Sequence, residues 1–341
     1  MACEWIPQRS AGANSKSCSL SFLISLPKGT TFGTSTMPAV MNGRLETLTI
    51  LGCGALGTAI LCGLLDSLDK ALEGSKDGNC SLPTKLFACV RTVKSAERLK
   101  KDISHYSTPA TILHGENVRA VQESDVVLLS CLPHQLEECI GQLPIKTALR
   151  GKLLISILAG VTIPDIENVW HQEHLKIGMD GLSECAIVRA MPNVASAVRD
   201  STTVITSKGM DRSTNKMVES ILSSVGEVIS IDSSIFDACT ALCGSCPAFF
   251  SVFLEALVDA AVSLGVRRPD AERMAAHTMR GTASMMVAGA NSTTVRETVA
   301  SPGGSTMAGL LELEKGSVRW SISNALISSA NAAQNLTKRK S

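Results

Sequence analysis

From residue 45 onward, short apolar runs alternate with stretches whose apolar residues recur at three- and four-residue intervals. The segment LETLTILGCGALGTAILCGLL sets the pattern: residues 45–51 predict a strand running into a glycine turn, and residues 55–65 predict the helix that leaves it. The strand signal returns in KLFACV, DVVLLSC, KLLISIL, CAIVRAM, TTVIT and EVISI, with helical patterns such as 95–101 and 163–170 between them. Such alternation predicts a mostly parallel, doubly wound α/β sheet. Polar insertions at 73–83 and 171–184 read as surface loops. After residue 235 the strand signals stop, and helices are expected at 247–264, at 270–288 behind Pro269, and at 317–335.

The first of these helices is apolar nearly all round, so it needs neighbours on every side. Residues 248–266 have the length of a membrane span, but Glu255 and Asp259 are costly at a bilayer centre, and a buried helix is expected instead. A domain of about a hundred residues has little surface to spare for that burial, so a second copy of the chain is the simplest cover.

Composition narrows the class. With 341 residues, 45% of them hydrophobic and 18% charged, the chain can build a well-cored soluble protein of two domains. A net charge of +1 with one Tyr, three Trp and seven Phe leaves no basic stripe or stacking platform for nucleic acid. The expected partner is a small molecule or another copy of the chain, with no nucleic acid and no membrane. Of the twelve cysteines, Cys53, Cys62, Cys89, Cys131 and Cys239 sit inside apolar segments behind no secretory signal, which suits small core residues in a reducing, cytoplasmic setting. Residues 1–43 are rich in Ser, Gly and Thr and read as a disordered tail. A mitochondrial leader is the weaker reading, because Arg9, Lys16 and Lys28 are sparse for a basic amphipathic helix.

Gly52, Gly54 and Gly57 form a G-x-G-x-x-G turn between a strand and a helix, the context that makes this spacing a dinucleotide fingerprint. Gly52 permits the turn, Gly54 the approach of a pyrophosphate, and Gly57 close helix packing, while the amides of Ala55 and Leu56 hold the phosphates. A tight turn without a ligand is the bland alternative. At the end of the second strand an NAD enzyme places an acid, yet ACVRTVKS offers Arg91, Thr92, Lys94 and Ser95. These suit a 2′-phosphate, so NADPH is favoured over NADH, unless Arg91 and Lys94 are merely a solvated loop.

A second anion site is suggested by ASPGGSTMAGLLELE, where a Pro/Gly loop at 301–305 precedes a helix. Its free amides suit a substrate carboxylate, and Thr306 adds a hydroxyl; taken alone, an ordinary helix cap would be the better reading. Beside a dinucleotide site it gains weight. No His or Lys accompanies it as a base for alcohol oxidation, whereas a cyclic imine needs chiefly to be held against a hydride donor.

The segments ILGCGALGTA, SDVVLLSCLPH, SILAGVTI, RAMPN, ALCGSCPAFF and SPGGSTMAGLLELEKGSVR resemble, in order and spacing, the motifs of the pyrroline-5-carboxylate reductase family across residues 45–336. The resemblance implies a Rossmann domain at 44–235, an all-helical dimerisation and substrate domain at 236–338, and NAD(P)H-dependent reduction of 1-pyrroline-5-carboxylate to proline. It also implies a homodimer that can assemble further, to a decamer. By position, Asn117 would contact the adenosine end, and Pro133, Ala159 and Asn193 would border the cofactor. Ser301, Gly303, Gly304 and Ser305 would hold the substrate carboxylate, and Thr306 would lie beside the imine nitrogen as the catalytic residue.

This chain departs from the family pattern in places. Cys246 stands where glycine is usual, Leu132 replaces a lysine, Val194 and Ala195 replace Thr-Pro, and Phe249 replaces a frequent Tyr. The site becomes more apolar, which admits an alkylated pyrroline carboxylate or another cyclic imine. The Cys243–Cys246 spacing reads as part of a turn near the nicotinamide rather than a redox or metal pair, since no second C-x-x-C or nearby His accompanies it. A β-hydroxyacid dehydrogenase ranks low because no lysine lies between Asp232 and Arg280. A non-catalytic NADPH sensor would have no use for the 301–306 loop. His134 and His277 are expected to be structural.

Overall fold

The computed structural model describes residues 46–73, 82–177, 185–206 and 210–338. The expected tail, and residues 74–81 and 178–184 of the two expected loops, lie outside the described residues.

Strands β1 (Thr47–Leu51), β2 (Lys85–Val90), β3 (Ala110–His114), β4 (Val126–Leu129), β5 (Leu153–Ser156), β6 (Ala186–Met191), β7 (Ser201–Thr206) and β8 (Gly226–Ser230) form one sheet in the order β3-β2-β1-β4-β5-β6-β7-β8. The first six are parallel; β7 runs antiparallel to β6, with Ala190 opposite Ile205, and β8 runs parallel to β7. Helices cover both faces, so the central strands read as unbroken apolar runs.

Because side chains alternate across a strand, Leu48, Ile50, Val126 and Leu128 enter one core with Ile60, Leu61, Leu64 and Leu65 of helix α1 (Ala55–Leu72). Leu51, Val127 and Leu129 enter the opposite core. That second core is closed by α3 (Asn117–Gln122), α4 (Leu136–Ile140), α5 (Leu143–Ala148) and α6 (Ile163–Ile177), while α2 (Val93–Asp102) packs beside α1. Each fully buried leucine or isoleucine contributes about 1.5–3 kcal/mol over exposure. Helix α6 corrects one expectation: residues 171–177 are helical, a polar continuation of its amphipathic pattern, and not loop.

Helix α7 (Arg212–Leu222) precedes β8, and among the described residues only helical elements follow it: α8 (Phe236–Cys239), a π-helical turn (Thr240–Ser245), α9 (Cys246–Ser263), α10 (Arg268–Val287), α11 (Ser292–Val299), α12 (Ser305–Lys315) and α13 (Val318–Lys338). This region holds to the sheet through polar links. The Asn193 side-chain amide donates to the Cys243 carbonyl at 3.0 Å, and the buried Arg189 guanidinium stacks 3.9 Å over the Phe236 ring beside Asp237; within the helical region Ser329 of α13 donates to Ser245 at 2.9 Å.

Helix α9 is not buried within one chain. Of α9 and α10 only Cys246, Val258 and Ala271 are buried, whereas Phe250, Val252, Leu257, Met274 and Val287 face solvent. Among the described residues, the helical run Ser233–Ser263 is long and apolar enough to cross a membrane. Its polar residues Glu255 and Asp259 are also exposed, and Asp259 pairs with Arg268 at 2.7 Å.

Candidate functional site

The glycine turn is built by close backbone approach. Gly52 has φ +96°, and the amides of Gly52 and Cys53 both donate to the Cys89 carbonyl at 3.1 Å, tying the ends of β1 and β2 together. A Cβ on Gly57 would lie 2.6 Å from the Gly52 carbonyl oxygen, so only glycine lets α1 start against the turn. Gly54 differs: it caps α1 in an extended conformation, and a Cβ there would meet nothing within 4 Å. No side chain caps α1, so its first amides, at Ala55 and Leu56, remain free for an anion. The space in front of them opens into a cleft of about 550 Å³ at the carboxyl ends of the parallel strands.

Arg91, Thr92 and Ser95 form one wall of this cleft. Thr92 caps α2, accepting from the Ser95 amide at 3.1 Å and donating to the Ser95 hydroxyl at 2.9 Å, while Arg91 is exposed and Lys94 stands off the wall. Arg98, which the sequence reading missed, also lines the cleft and donates to the Cys53 carbonyl at 2.8 Å, bracing the glycine turn. Its signal was its place one turn beyond Ser95 on the same helix face. Asn117 reaches the cleft from the first turn of α3.

The remaining expected residues do not line this cleft. Pro133 starts a short 3₁₀ turn between Leu132 and Gln135, which do line the cleft. Ala159 is exposed after β5. Asn193 spends its side-chain oxygen on the Ala195 amide (2.9 Å) and its amide on Cys243, so it acts on the chain's own backbone. In the 301–306 loop Gly303 takes φ +70°, the Gly304 amide closes the turn on the Ser301 carbonyl at 3.0 Å, and Gly304 caps α12 without side-chain help. The amides of Ser305 and Thr306 thus begin an uncapped helix, but none of residues 301–306 lines the glycine-turn cleft of the same chain.

The C-x-x-C stretch forms the π-helical turn and the start of α9. Cys243 is half-buried and Cys246 buried; burial pushes both thiols up, the reverse of an activated redox pair. Of the other thiols expected in the core, Cys53 and Cys89 are buried there and also border the cleft, whereas Cys62, Cys131 and Cys239 are only half-buried, Cys131 on the cleft wall. His134 and His277 are exposed; His277 Nδ1 accepts a hydrogen bond from Arg280 of its own helix at 3.1 Å. Glu312 and Glu314 pair with Lys315 and Arg319 on an exposed face.

Free helix amides at the switch edge of a mostly parallel sheet, with Arg91 and Arg98 on the wall in place of an acid, define a Rossmann-type dinucleotide-binding fold with an appended helical domain. Comparison with known proteins narrows the class. Residues 233–336 match the model for pyrroline-5-carboxylate reductase dimerisation, and residues 47–160 match that for NADP oxidoreductase, coenzyme F420-dependent. The chain is 42% identical to a pyrroline-5-carboxylate reductase of Lophium arboricola over 87% of its own length and 95% of the relative's. It superposes on a pyrroline-5-carboxylate reductase of Coxiella burnetii with a TM-score of 0.70 and 28% identity, covering 86% of this chain and 99% of that one. The fold is also that of the NADP-bound Plasmodium falciparum pyrroline carboxylate reductase, with a TM-score of 0.66, 24% identity, and coverage of 86% and 98%. The chain belongs to the pyrroline-5-carboxylate reductase family.

Proposed function

We propose that this protein is an NADPH-dependent imine reductase that converts 1-pyrroline-5-carboxylate, or a ring-substituted analogue, to the corresponding proline. The observation that carries the reading is the open cradle at Gly54, backed by free helix amides and flanked by Arg91, Thr92 and Ser95. The residues present fit the nucleotide. Ala55 and Leu56 would hold its diphosphate, Arg91 with Thr92 and Ser95 its 2′-phosphate, and Asn117 its adenosine end. When bound, NADPH supplies the hydride that adds to the imine carbon.

The chain's other work is to hold the acceptor. The uncapped start of α12, reached through Gly303 and Gly304, offers amides to the substrate carboxylate, which fixes the ring without adding a charged group. Thr306 would supply a hydroxyl to hydrogen-bond the ring nitrogen and keep the protonated imine oriented. No side chain needs to remove a proton from the substrate, since the iminium form is already electrophilic.

The assembly follows from the exposed apolar faces of α9 and α10. We assign these faces to a homodimer, in which a second copy covers them and brings its own helices to the site; higher assembly up to a decamer is compatible with this arrangement. Leu132, exposed on the cleft rim where the family carries lysine, favours acceptance of an alkyl-substituted ring alongside the plain one. Steady-state oxidation of NADPH with a panel of plain and methylated pyrroline carboxylates tests the reading. Turnover with at least one is expected, and none with any would overturn it.

A further inference from the structure

Four cysteines line the dinucleotide cleft: Cys53, Cys89, Cys131 and Cys139. Cys53 and Cys89 are buried at the strand ends, and burial pushes both thiols up, Cys89 to about 12, which leaves them protonated and unreactive. The other two differ. Cys131 lies in the loop after β4 and Cys139 in α4; both are half-buried, and their thiols pair with each other. That pairing holds Cys139 below the ordinary thiol value, with the Arg91 guanidinium assisting and burial and Glu138 opposing, and it raises Cys131. Cys139, on the cleft side of α4, is assigned as the attacking sulfur and Cys131, on the facing loop, as the resolving one; the exchange is the same with the roles reversed. Between them in the chain lie Leu132 and Gln135, which also line the cleft.

We propose that Cys131 and Cys139 form a redox modification site within the cofactor cleft, joined as a disulfide by a hydroperoxide when the cleft is empty and shielded when the nucleotide is bound. The Cys139 thiolate attacks one peroxide oxygen, the O–O bond breaks, and the departing hydroxide takes a proton to become water, leaving a sulfenic acid. The Cys131 sulfur then displaces the hydroxyl; the S–S bond forms and a second water leaves with the Cys131 proton. The thiols lose two electrons and the peroxide gains two. The bridge would clamp the β4 loop to α4 and reshape the wall that Leu132 and Gln135 present to the nucleotide. The inference rests on the dinucleotide reading of this cleft.

The test treats the reduced full-length protein with hydrogen peroxide, with and without NADP⁺, and maps linked peptides by mass spectrometry. A Cys131–Cys139 link is expected, together with loss of NADPH binding that dithiothreitol reverses. At ten times its Kd, NADP⁺ should slow the linkage by about tenfold. Cys139→Ala and Cys131→Ala, each scored against its own reduced activity, should lose the reversible inactivation. No link, a link between other cysteines, or an equal rate with bound NADP⁺ overturns the proposal. Failure of the reduced protein to bind NADPH would instead overturn the cofactor reading, and the mapping without nucleotide judges the thiol pair separately.

Discussion

Gly54→Ala separates the cradle's role from its structure. Gly54 sits at φ −73° and ψ −160°, which alanine tolerates, and an added Cβ meets no protein atom within 4 Å. Folding should therefore be unharmed, or stabilised by about 0.4–1 kcal/mol through the less flexible unfolded chain. The same methyl group projects into the space that the reading assigns to a diphosphate. Steric intrusion of one methyl into a close-packed contact costs about 1–3 kcal/mol, which is about a 5- to 150-fold weaker Kd. Thermal unfolding read beside a fluorescence titration with NADPH gives both numbers on one sample. The expected pair is an unchanged or raised Tm with weakened binding. Gly57→Ala gives the contrast, because its Cβ would lie 2.6 Å from the Gly52 oxygen and should lower stability and binding together. If Gly54→Ala binds NADPH as tightly as the unaltered protein, the diphosphate does not lie at this turn.

Arg91→Ala should weaken NADPH by about tenfold and leave NADH nearly untouched, measured as the ratio of the two Kd values; an unchanged ratio removes Arg91 from the 2′-phosphate site. Thr306→Val should lower kcat by about tenfold, the worth of one hydrogen bond, while NADPH affinity stays the same. An equal loss of affinity would mean that Thr306 serves the cofactor. Leu257→Glu on the exposed face of α9 should shift the sedimentation coefficient toward a monomer, and an unaltered oligomer would place the interface elsewhere. The carboxylate of Asp211 is held down to about 2, chiefly by hydrogen bonds from Ser213 and Thr214 at the start of α7. Its folded pKa is depressed, so its contribution is complete above the unfolded value near ~4 and is lost as pH falls toward about 2. Asp211→Ala should cost about 1 kcal/mol at pH 7, and the Tm difference should vanish in acid; a constant difference would contradict this.

Elements with strong periodicity were legible in the sequence. The β1–turn–α1 unit carries five consecutive buried residues followed by glycines whose spacing matches their contacts, so its function in the fold could be read directly. Strand β3 was missed because, at the sheet edge, ATILH buries little beyond Leu113 and has no continuous apolar run. Helix α11, STTVRETV, has only Val295 and Val299 as apolar residues and buries neither, and the helical extension of α6 is polar, so neither carries enough apolar face to separate it from loop. The thiols were misread for a related reason. A cysteine at the last turn of a strand has the same apolar neighbours whether it faces the core or the mouth of a cleft, and Cys89 does both. Sequence order also could not reveal that the 301–306 loop stands apart from the glycine-turn cleft within one chain, because that depends on how the helical region packs.

In the proposed reaction a hydride passes from a nucleotide at the Gly54 cradle to the carbon of a cyclic imine. Turnover of 1-pyrroline-5-carboxylate and its methylated analogues with NADPH deuterated at the nicotinamide C4, followed by NMR of the product, tests it directly. Deuterium at C5 of proline, or of the substituted proline, in one stereochemical sense is the expected result. Oxidation of the nucleotide without label in the product, or no oxidation at all, would contradict the account.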